Sequence, residues 1–544
     1  MTHIVKYRTE SGGSAPLTLG QDNMVRCIER DRPEHMNKQA IWPVPAGTAV
    51  DAVLDALRTL AERHPALRTV FPGDHYTVQQ ELAEGEFPVA VVAVPAGGDP
   101  DRLGEELGRL DRLRAFDLAV DFPLRFTLLT VDDRPVRLVV VICHAQIDGA
   151  STALLFREWL LLAAGEELPE PASPGPREIA EQEGSAAGQR RARSALRHWE
   201  RILREDPLTV FADDRVQPSD DRLPTLLVRS PAGAVALERA VRRTGASPST
   251  LLLAVYAALV AHLADQRTLV VATLAANRNR AALAGHIGTL AQDALLSVEV
   301  PLGDPAADFD ALLGHSRAAS LAGYWHSSFD AQRLWALIDE VAHDRGARYV
   351  RHMVLNDLSS TVPDEAVAGY QVPTEDPEFV WLPAENTPTR IMLDIWRLRG
   401  EVALSLHLDP QLFPRETGEQ LARALLRLIE VAGERSFLLS ELPALTGLPR
   451  ARRDRPGWRS VGGTWIELAA VAELVREAVD AGCEVSLDGG ELTAVIELPA
   501  DPARGPAEVH AAVVAALPRH HTAIAPQRYV LHSPDGTTVT GSGR

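Results

Sequence analysis

Residues Val139 to Thr152 read VVVICHAQIDGAST, and no other stretch limits the fold so sharply. PVRLVVVIC, which leads into it, is apolar and rich in branched residues over a strand's length. ASTALLFREWLLLAAG, which leaves it, repeats its apolar residues at helical spacing until Gly165 stops it. A strand, a short turn and a helix must therefore follow one another, and the turn carries His144, Asp148 and Gly149. Polar groups at such a junction are either satisfied parts of a core or a reactive site.

The same alternation recurs along the chain. TAVDAVLDALRTLAERH predicts a helix capped by Thr48, with Asp51 three residues on, a stripe of Val50, Val53, Leu54, Leu57 and Leu60, and Pro65 as its stop. SPSTLLLAVYAALVAHLADQ has Ser247 as a cap and Pro248 at the first helical position, and the strand-like RTLVVATLAA follows it. RIMLDIWRLRGEVALSLHLD reads as two strands about Gly400, and RETGEQLARALLRLIEVAG as a closing helix. Residues 165–189 are rich in Pro, Gly and Glu and break every pattern, which predicts a connection between two mixed α/β lobes, 1–170 and 171–449. Beyond the arginine-rich RARRDRPGWR, residues 460–544 predict a small α+β unit, large enough to fold alone, with helices near 467–481 and 506–517 and strands near 483–498. A chain of 544 residues exceeds one ordinary core, so several units are expected.

Composition and charge exclude several functions. A chain that is 46% hydrophobic and 24% charged has the makeup of a globular protein. Its net charge of -19 repels phosphates and anionic lipid, so neither nucleic acid nor membrane is an expected partner. An acidic partner would need a local basic patch, for which RARRDRPGWR is the candidate; the alternative is a solvated linker. MTHIVKYRTESGG lacks the apolar core of a signal peptide, and no run of about eighteen apolar residues occurs, so a cytoplasmic location is expected. Cys27, Cys143 and Cys483 are isolated, which predicts neither disulfides nor a metal site. The adjacent His520 and His521 lack a third ligand and read as a solvated pair.

The order of short motifs carries a resemblance. LTLGQDNMV around Gln21, RHPALRTVF (63–71), FDLAVDFPLRFTLL (116–129), CHAQIDG (143–149), HWERIL (198–203), AANRNRAALAGHIGTLAQD (275–293) and LDPQLF (408–413) occur in the order found in condensation domains of nonribosomal peptide synthetases, over roughly residues 15–435. The resemblance implies a chloramphenicol-acetyltransferase-like α/β fold, two lobes in a V about a central tunnel. It also implies amide or ester formation between an acyl thioester, carried on the phosphopantetheine of a partner acyl or peptidyl carrier protein, and a small amine or alcohol acceptor. No cofactor is expected on the chain itself. A coenzyme A-dependent acyltransferase of the same fold, and a catalytically retired docking protein, are the competing readings.

Within this resemblance His144 is the catalytic candidate, because an imidazole exchanges protons near neutrality. Asp148 is expected to pair with an arginine of the later motif, Arg278 by position and Arg280 as the alternative, and Gly149 to leave room for the pantetheine arm. CHAQIDG departs from the family pattern, which has two histidines where this chain has Cys143 and His144. Alternation along the strand turns Cys143 away from His144, so the thiol is expected to fill space and not to act as a nucleophile. Trp325 and His326 align loosely with a motif near the tunnel, and core packing explains them equally well. ALPRHHTAIAPQRYVL and TVTGSGR resemble the small C-terminal subdomain of adenylation enzymes. Ser542 stands where that family's catalytic lysine is expected, so a scaffold or docking unit is implied in place of an ATP site.

Overall fold

A computed structural model describes residues 1–211, 222–361, 375–386, 389–451, 456–498, 505–520 and 522–543. Its first half is built on a five-stranded sheet in the spatial order Thr2–Arg8, Glu84–Ala93, Leu124–Val131, Arg134–Ile142, Lys38–Pro43. Helices Val50–Arg63 and Gly149–Ala163 bury Val53, Leu57, Leu60, Leu155, Phe156 and Trp159 against one face. Helix Pro100–Arg112 lies on the other, where a Cβ on Gly104 would come within 3.1 Å of Ile41 and 3.3 Å of Val139, so the glycine sets how closely helix and sheet approach.

The second half holds a seven-stranded sheet in the order Gln292–Glu299, Thr268–Ala275, Met353–Asp357, Ile391–Arg397, Val402–Leu408, Arg222–Ser230, Glu378–Asn386. Helices Pro231–Thr244, Pro248–Ala264 and Arg415–Glu434 pack on one face. Pro248–Ala264 is apolar all round and buried from Leu251 to His262, as a helix without a polar face must be; Ser247 caps it through the amide of Thr250, with Pro248 in the first turn. Each Leu or Val sequestered there contributes about 1.5–3 kcal/mol. No single helix among the described residues is long and apolar enough to cross a membrane.

Two local expectations need correction. Thr48 does not cap the first long helix. Ala49 occupies that place, and the Thr48 hydroxyl donates to the carbonyls of Pro45 (2.8 Å) and Ala163 (3.1 Å), tying two helix ends together. Residues 165–189 are not patternless: Pro176–Gly184 and Ala186–Glu205 are helices, the first begun by Pro176 with the Glu178 carboxylate accepting from the Gly175 amide, the second capped by Ser185. Capping chemistry at these starts outweighs the Pro/Gly-rich composition.

Residues 458–542 form a hairpin, Trp458–Val461 with Thr464–Glu467, then helices Leu468–Val479 and Pro506–Ala516 on a four-stranded sheet ending in the edge strand Thr538–Ser542. Its core is continuous with the second half: Ile466, Leu474, Val509 and Tyr529 share one buried cluster with Trp199, Ile202, Phe329 and Leu334. Ala525 N donates to Gly346 O (2.7 Å) and Trp465 Nε1 to Asp265 O (2.9 Å). Gly346 has φ +63°, and a Cβ there would sit 2.7 Å from the Ala525 carbonyl oxygen, so both the turn and the contact require glycine.

Candidate active site

The strand Arg134–Ile142 ends where Cys143 N donates to Pro123 O (2.8 Å), so extended pairing persists through the thiol. Cys143 then shares the side of Val141 and packs in an apolar cluster with Val25, Phe71, Phe116 and Leu118. Burial pushes its thiol up to about 12, which leaves no thiolate at neutral pH.

His144 opens the turn and is only half-buried. Burial, helped by the positive charge of Lys38, holds its imidazole down at about 4, so the ring is neutral. Lys38 comes close because its strand pairs antiparallel with the motif strand, Lys38 facing Ile142. Nδ1 is enclosed and makes no hydrogen bond of ordinary geometry, although the backbone of residues 144 and 147 favours the cation slightly. Nε2 has no hydrogen-bond partner among the described residues and is the edge left for a ligand.

Four residues on, Asp148 caps helix Gly149–Ala163 by accepting from Ser151 N (2.9 Å). Arg278, from the loop after strand Thr268–Ala275, reaches across from the second half and donates to both carboxylate oxygens, Nη1 to Oδ2 at 2.8 Å and Nη2 to Oδ1 at 2.9 Å. Asp148 Oδ2 also accepts from the amides of Leu290 (3.0 Å) and Ala291 (3.1 Å). Burial alone would raise this carboxyl; the charge and hydrogen bonds of Arg278, with the backbone amides, outweigh it and hold the group below the usual carboxylate range. Arg280, the alternative partner, instead approaches Gln182 Oε1 at 3.5 Å.

Further members of this clasp have no signature in the sequence. Ser151 Oγ donates to Gly288 O (2.8 Å) and accepts from Arg278 Nη2 (2.8 Å) and Gly288 N (2.9 Å), and Thr289 Oγ1 donates to the carbonyl of His144 (2.8 Å). Gln21 caps its own helix with Thr18, and its amide donates to Gln79 Oε1 (3.3 Å). Nearby, Glu183 accepts from Leu19 N (2.8 Å); burial raises its carboxyl to about 7 against the partial compensation of that amide, Arg280 and Arg191.

The remaining candidates separate from the site or from their expected setting. Gly149 is exposed, and a Cβ there would make only ordinary contacts with Thr361 at 3.4 and 3.6 Å, so packing among the described residues does not require glycine at this position. Trp325 is not a core residue: it ends helix Phe309–Trp325 at 70% exposure, while His326 stacks on His198 with ring centroids 4.8 Å apart. His520 is half-buried and bonded to Glu477 (2.7 Å), not solvated, and His521 lies outside the described residues, as do Arg452, Arg453 and Arg455 of the basic stretch. Among the described residues no group of three potential metal ligands converges.

A family model described as the condensation domain matches residues 13–435. Phosphinothricin tripeptide synthetase PhsC of Streptomyces viridochromogenes is 29% identical over 356 residues, covering 63% of this chain and 32% of PhsC. Surfactin synthase subunit 2 of Bacillus subtilis is 23% identical over 451 residues, covering 79% of this chain and 12% of that subunit, so the chain spans only a minor part of either relative. Among solved structures, the first condensation domain of the CDA synthetase superposes with a TM-score of 0.61 at 17% identity, covering 79% of this chain and 98% of that one. The complex of the X-domain and OxyB from teicoplanin biosynthesis gives 0.59 at 20% identity, covering 79% and 95%. These likenesses show the same mixed α/β fold. The family match spans well over half of the sequence and takes in the motif turn, Arg278 and the loop that clasps them: the chain belongs to the condensation domain family.

Proposed function

We propose that the chain joins an acyl thioester, presented on the phosphopantetheine of a partner carrier protein, to an amine or alcohol acceptor. The observation that carries this reading is a neutral, half-buried imidazole whose Nε2 has no partner among the described residues, set where the two halves meet and aimed by a clasp from the opposite half. The acceptor nitrogen or oxygen forms a bond to the thioester carbonyl, the carbon–sulfur bond breaks, and the acceptor's proton leaves through His144 to the departing thiolate. A neutral imidazole can take that proton; a protonated one could not. Holding both reactants in one passage between the halves supplies much of the rate.

The test is intact-mass detection of product from a panel of acyl-loaded carrier proteins and candidate acceptors. His144→Ala should lower turnover at least about a hundredfold in a folded protein. The acid limb of kcat should fall near pH 4, well below the usual histidine value. Turnover that survives removal of the carrier protein, with coenzyme A thioesters supplied, would assign the donor to coenzyme A.

A docking role is the second reading, and one observation favours it: Cys143 replaces the first histidine of the family motif, and the X-domain that shares this fold was solved in complex with another protein. Absence of product from the unaltered chain across the whole panel, with the carrier protein still bound, would select it.

A further inference from the structure

The clasp around Asp148 is itself held from behind. Helix Pro176–Gly184, in the segment that joins the two halves, packs on the loop that carries the clasp: Ile179 closes a small buried apolar cluster with Leu283 and Leu290. Just before the helix the segment meets the same loop again. Pro174 O accepts from His286 Nδ1 (2.7 Å), and the His286 carbonyl in turn accepts from Arg278 Nη2 (3.3 Å). The helix is also fastened to the first half, where Arg177 donates to Gly12 O (3.1 Å) and pairs with the buried Glu81 (2.9 Å). It therefore bridges the seam on which the motif sits.

Its last turn carries Glu183. An α-helix leaves its first amides without partners of its own, and in helix Leu19–Arg30 the Glu183 carboxylate accepts from Leu19 N (2.8 Å), while Thr18 caps Gln21 N. The Leu19 carbonyl accepts from Gln292 Nε2 (3.3 Å). These bonds fix the next residue, Gly20, where backbone meets backbone. A Cβ on Gly20 would clash with the Thr289 carbonyl and lie 3.0 Å from Leu290 Cα. Thr289 Oγ1 holds the His144 carbonyl (2.8 Å), and Leu290 N holds Asp148 (3.0 Å). Leu290 is thus touched by Gly20 from the first half and by Ile179 from the connecting helix, and Glu183 ties those two helices together.

We infer that Glu183 is a positioning residue for His144: by pinning Leu19 it seats Gly20 against Thr289, and so fixes the histidine's carbonyl and with it the ring. The inference rests on the condensation reading for what the ring then does, but not for where the ring stands. Among the described residues the Glu183 carboxylate bonds to Leu19 and not to the motif, so it acts only through the backbones it holds.

The test is heteronuclear NMR of the full chain with isotope-labelled histidine, in which the signal absent from His144→Ala reports the ring. Glu183→Ala should shift that signal and speed hydrogen exchange over residues 286–292 about tenfold. Glu183→Gln should restore both, because its amide oxygen accepts from Leu19 N as the carboxylate does. For a donor and acceptor that give product with the unaltered chain, Glu183→Ala should lower kcat about tenfold with KM unchanged, and Glu183→Gln should recover it. Gly20→Ala reaches the same seat with Glu183 in place: its methyl group displaces Thr289 and should shift the same signal, which keeps the inference testable if Glu183→Ala does not fold. A His144 signal that stays put in a folded Glu183→Ala or in Gly20→Ala, or that Glu183→Gln displaces as far as Glu183→Ala does, overturns the inference. No product from any pair, with the signal shifting as described, would overturn the proposed chemistry and leave the positioning role standing.

Discussion

Replacing Arg278 by Met should destabilise the protein by about 3–5 kcal/mol, because it strands a carboxylate inside the protein. The Asp148 side chain is 0% exposed and that of Arg278 8%, so water cannot take over from the guanidinium. Three backbone amides, from Ser151, Leu290 and Ala291, remain to the carboxylate in the variant. They are dipoles and not a countercharge, so desolvation then dominates and the Asp148 carboxyl moves above its ordinary value. The sign follows: at pH 7 the variant must keep a buried charge or bind a proton against its chemical potential, and the penalty shrinks as pH falls through the raised value. Asp148→Asn removes the charge at source, so the double variant should cost less than the two single changes added together, with a coupling of at least about 2 kcal/mol. Equilibrium urea unfolding of the four proteins gives the cycle, and hydrogen exchange over residues 286–292 reports whether the clasp loop has opened. Single losses that add to within about 0.5 kcal/mol would refute the argument, since a buried pair with no coupling is not a pair.

Glu183→Gln should stabilise the protein at pH 8 by about 2 kcal/mol and do little at pH 4.5: a carboxyl raised to about 7 contributes stability below its unfolded value that is lost as pH rises through 7, and the amide still accepts from Leu19 N. His286, buried and held near 4 chiefly by desolvation, works in the opposite direction, so stability should fall as pH drops from about 6.5 towards 4, and chemical denaturation across that range checks both signs. Cys143→Ala should keep most of the activity at a cost of about 1–2 kcal/mol, with no acyl adduct on the thiol by mass spectrometry; Cys143→His should lose more stability, because it forces a larger, polar ring into the cluster of Val25, Phe71, Phe116 and Leu118. Deleting residues 460–544 should lower the denaturation midpoint and increase binding of a hydrophobic dye, because Phe329 and Leu334 lose their cover, while the acid limb of any residual turnover stays unchanged.

What the sequence made legible is what local pattern encodes. The all-round apolar Pro248–Ala264 announced a central helix with its cap, and the strand-to-helix turn around His144 was readable from a change of period alone. The pairing of Asp148 with an arginine followed only from the order of motifs, and the choice of Arg278 over Arg280 needed the loop's path in space. Ser151, Thr289 and the amides of Leu290 and Ala291 were not legible, because hydroxyls and backbone groups carry no spacing rule. Thr48 and residues 165–189 misled where a hydroxyl found carbonyls to serve, and where caps overrode composition.

The two halves do different work at the motif. The first half makes the histidine: its strand ends there, its lysine helps hold the ring neutral, and its apolar cluster anchors Cys143 on the reverse side. The second half aims it, since the His144 carbonyl is held by Thr289, Asp148 by Arg278 and two amides, and Gly149 faces Thr361. Any sliding of one half against the other must therefore move His144 or break a buried ion pair whose loss costs several kcal/mol, and the cheaper course is to keep the seam closed. The ring's position is thus set through its own carbonyl and through Asp148, four residues on. A change at Arg278 should displace catalysis even though that side chain bonds to Asp148 and Ser151 and not to the ring, whereas a change at Cys143, anchored within one half, should spare it.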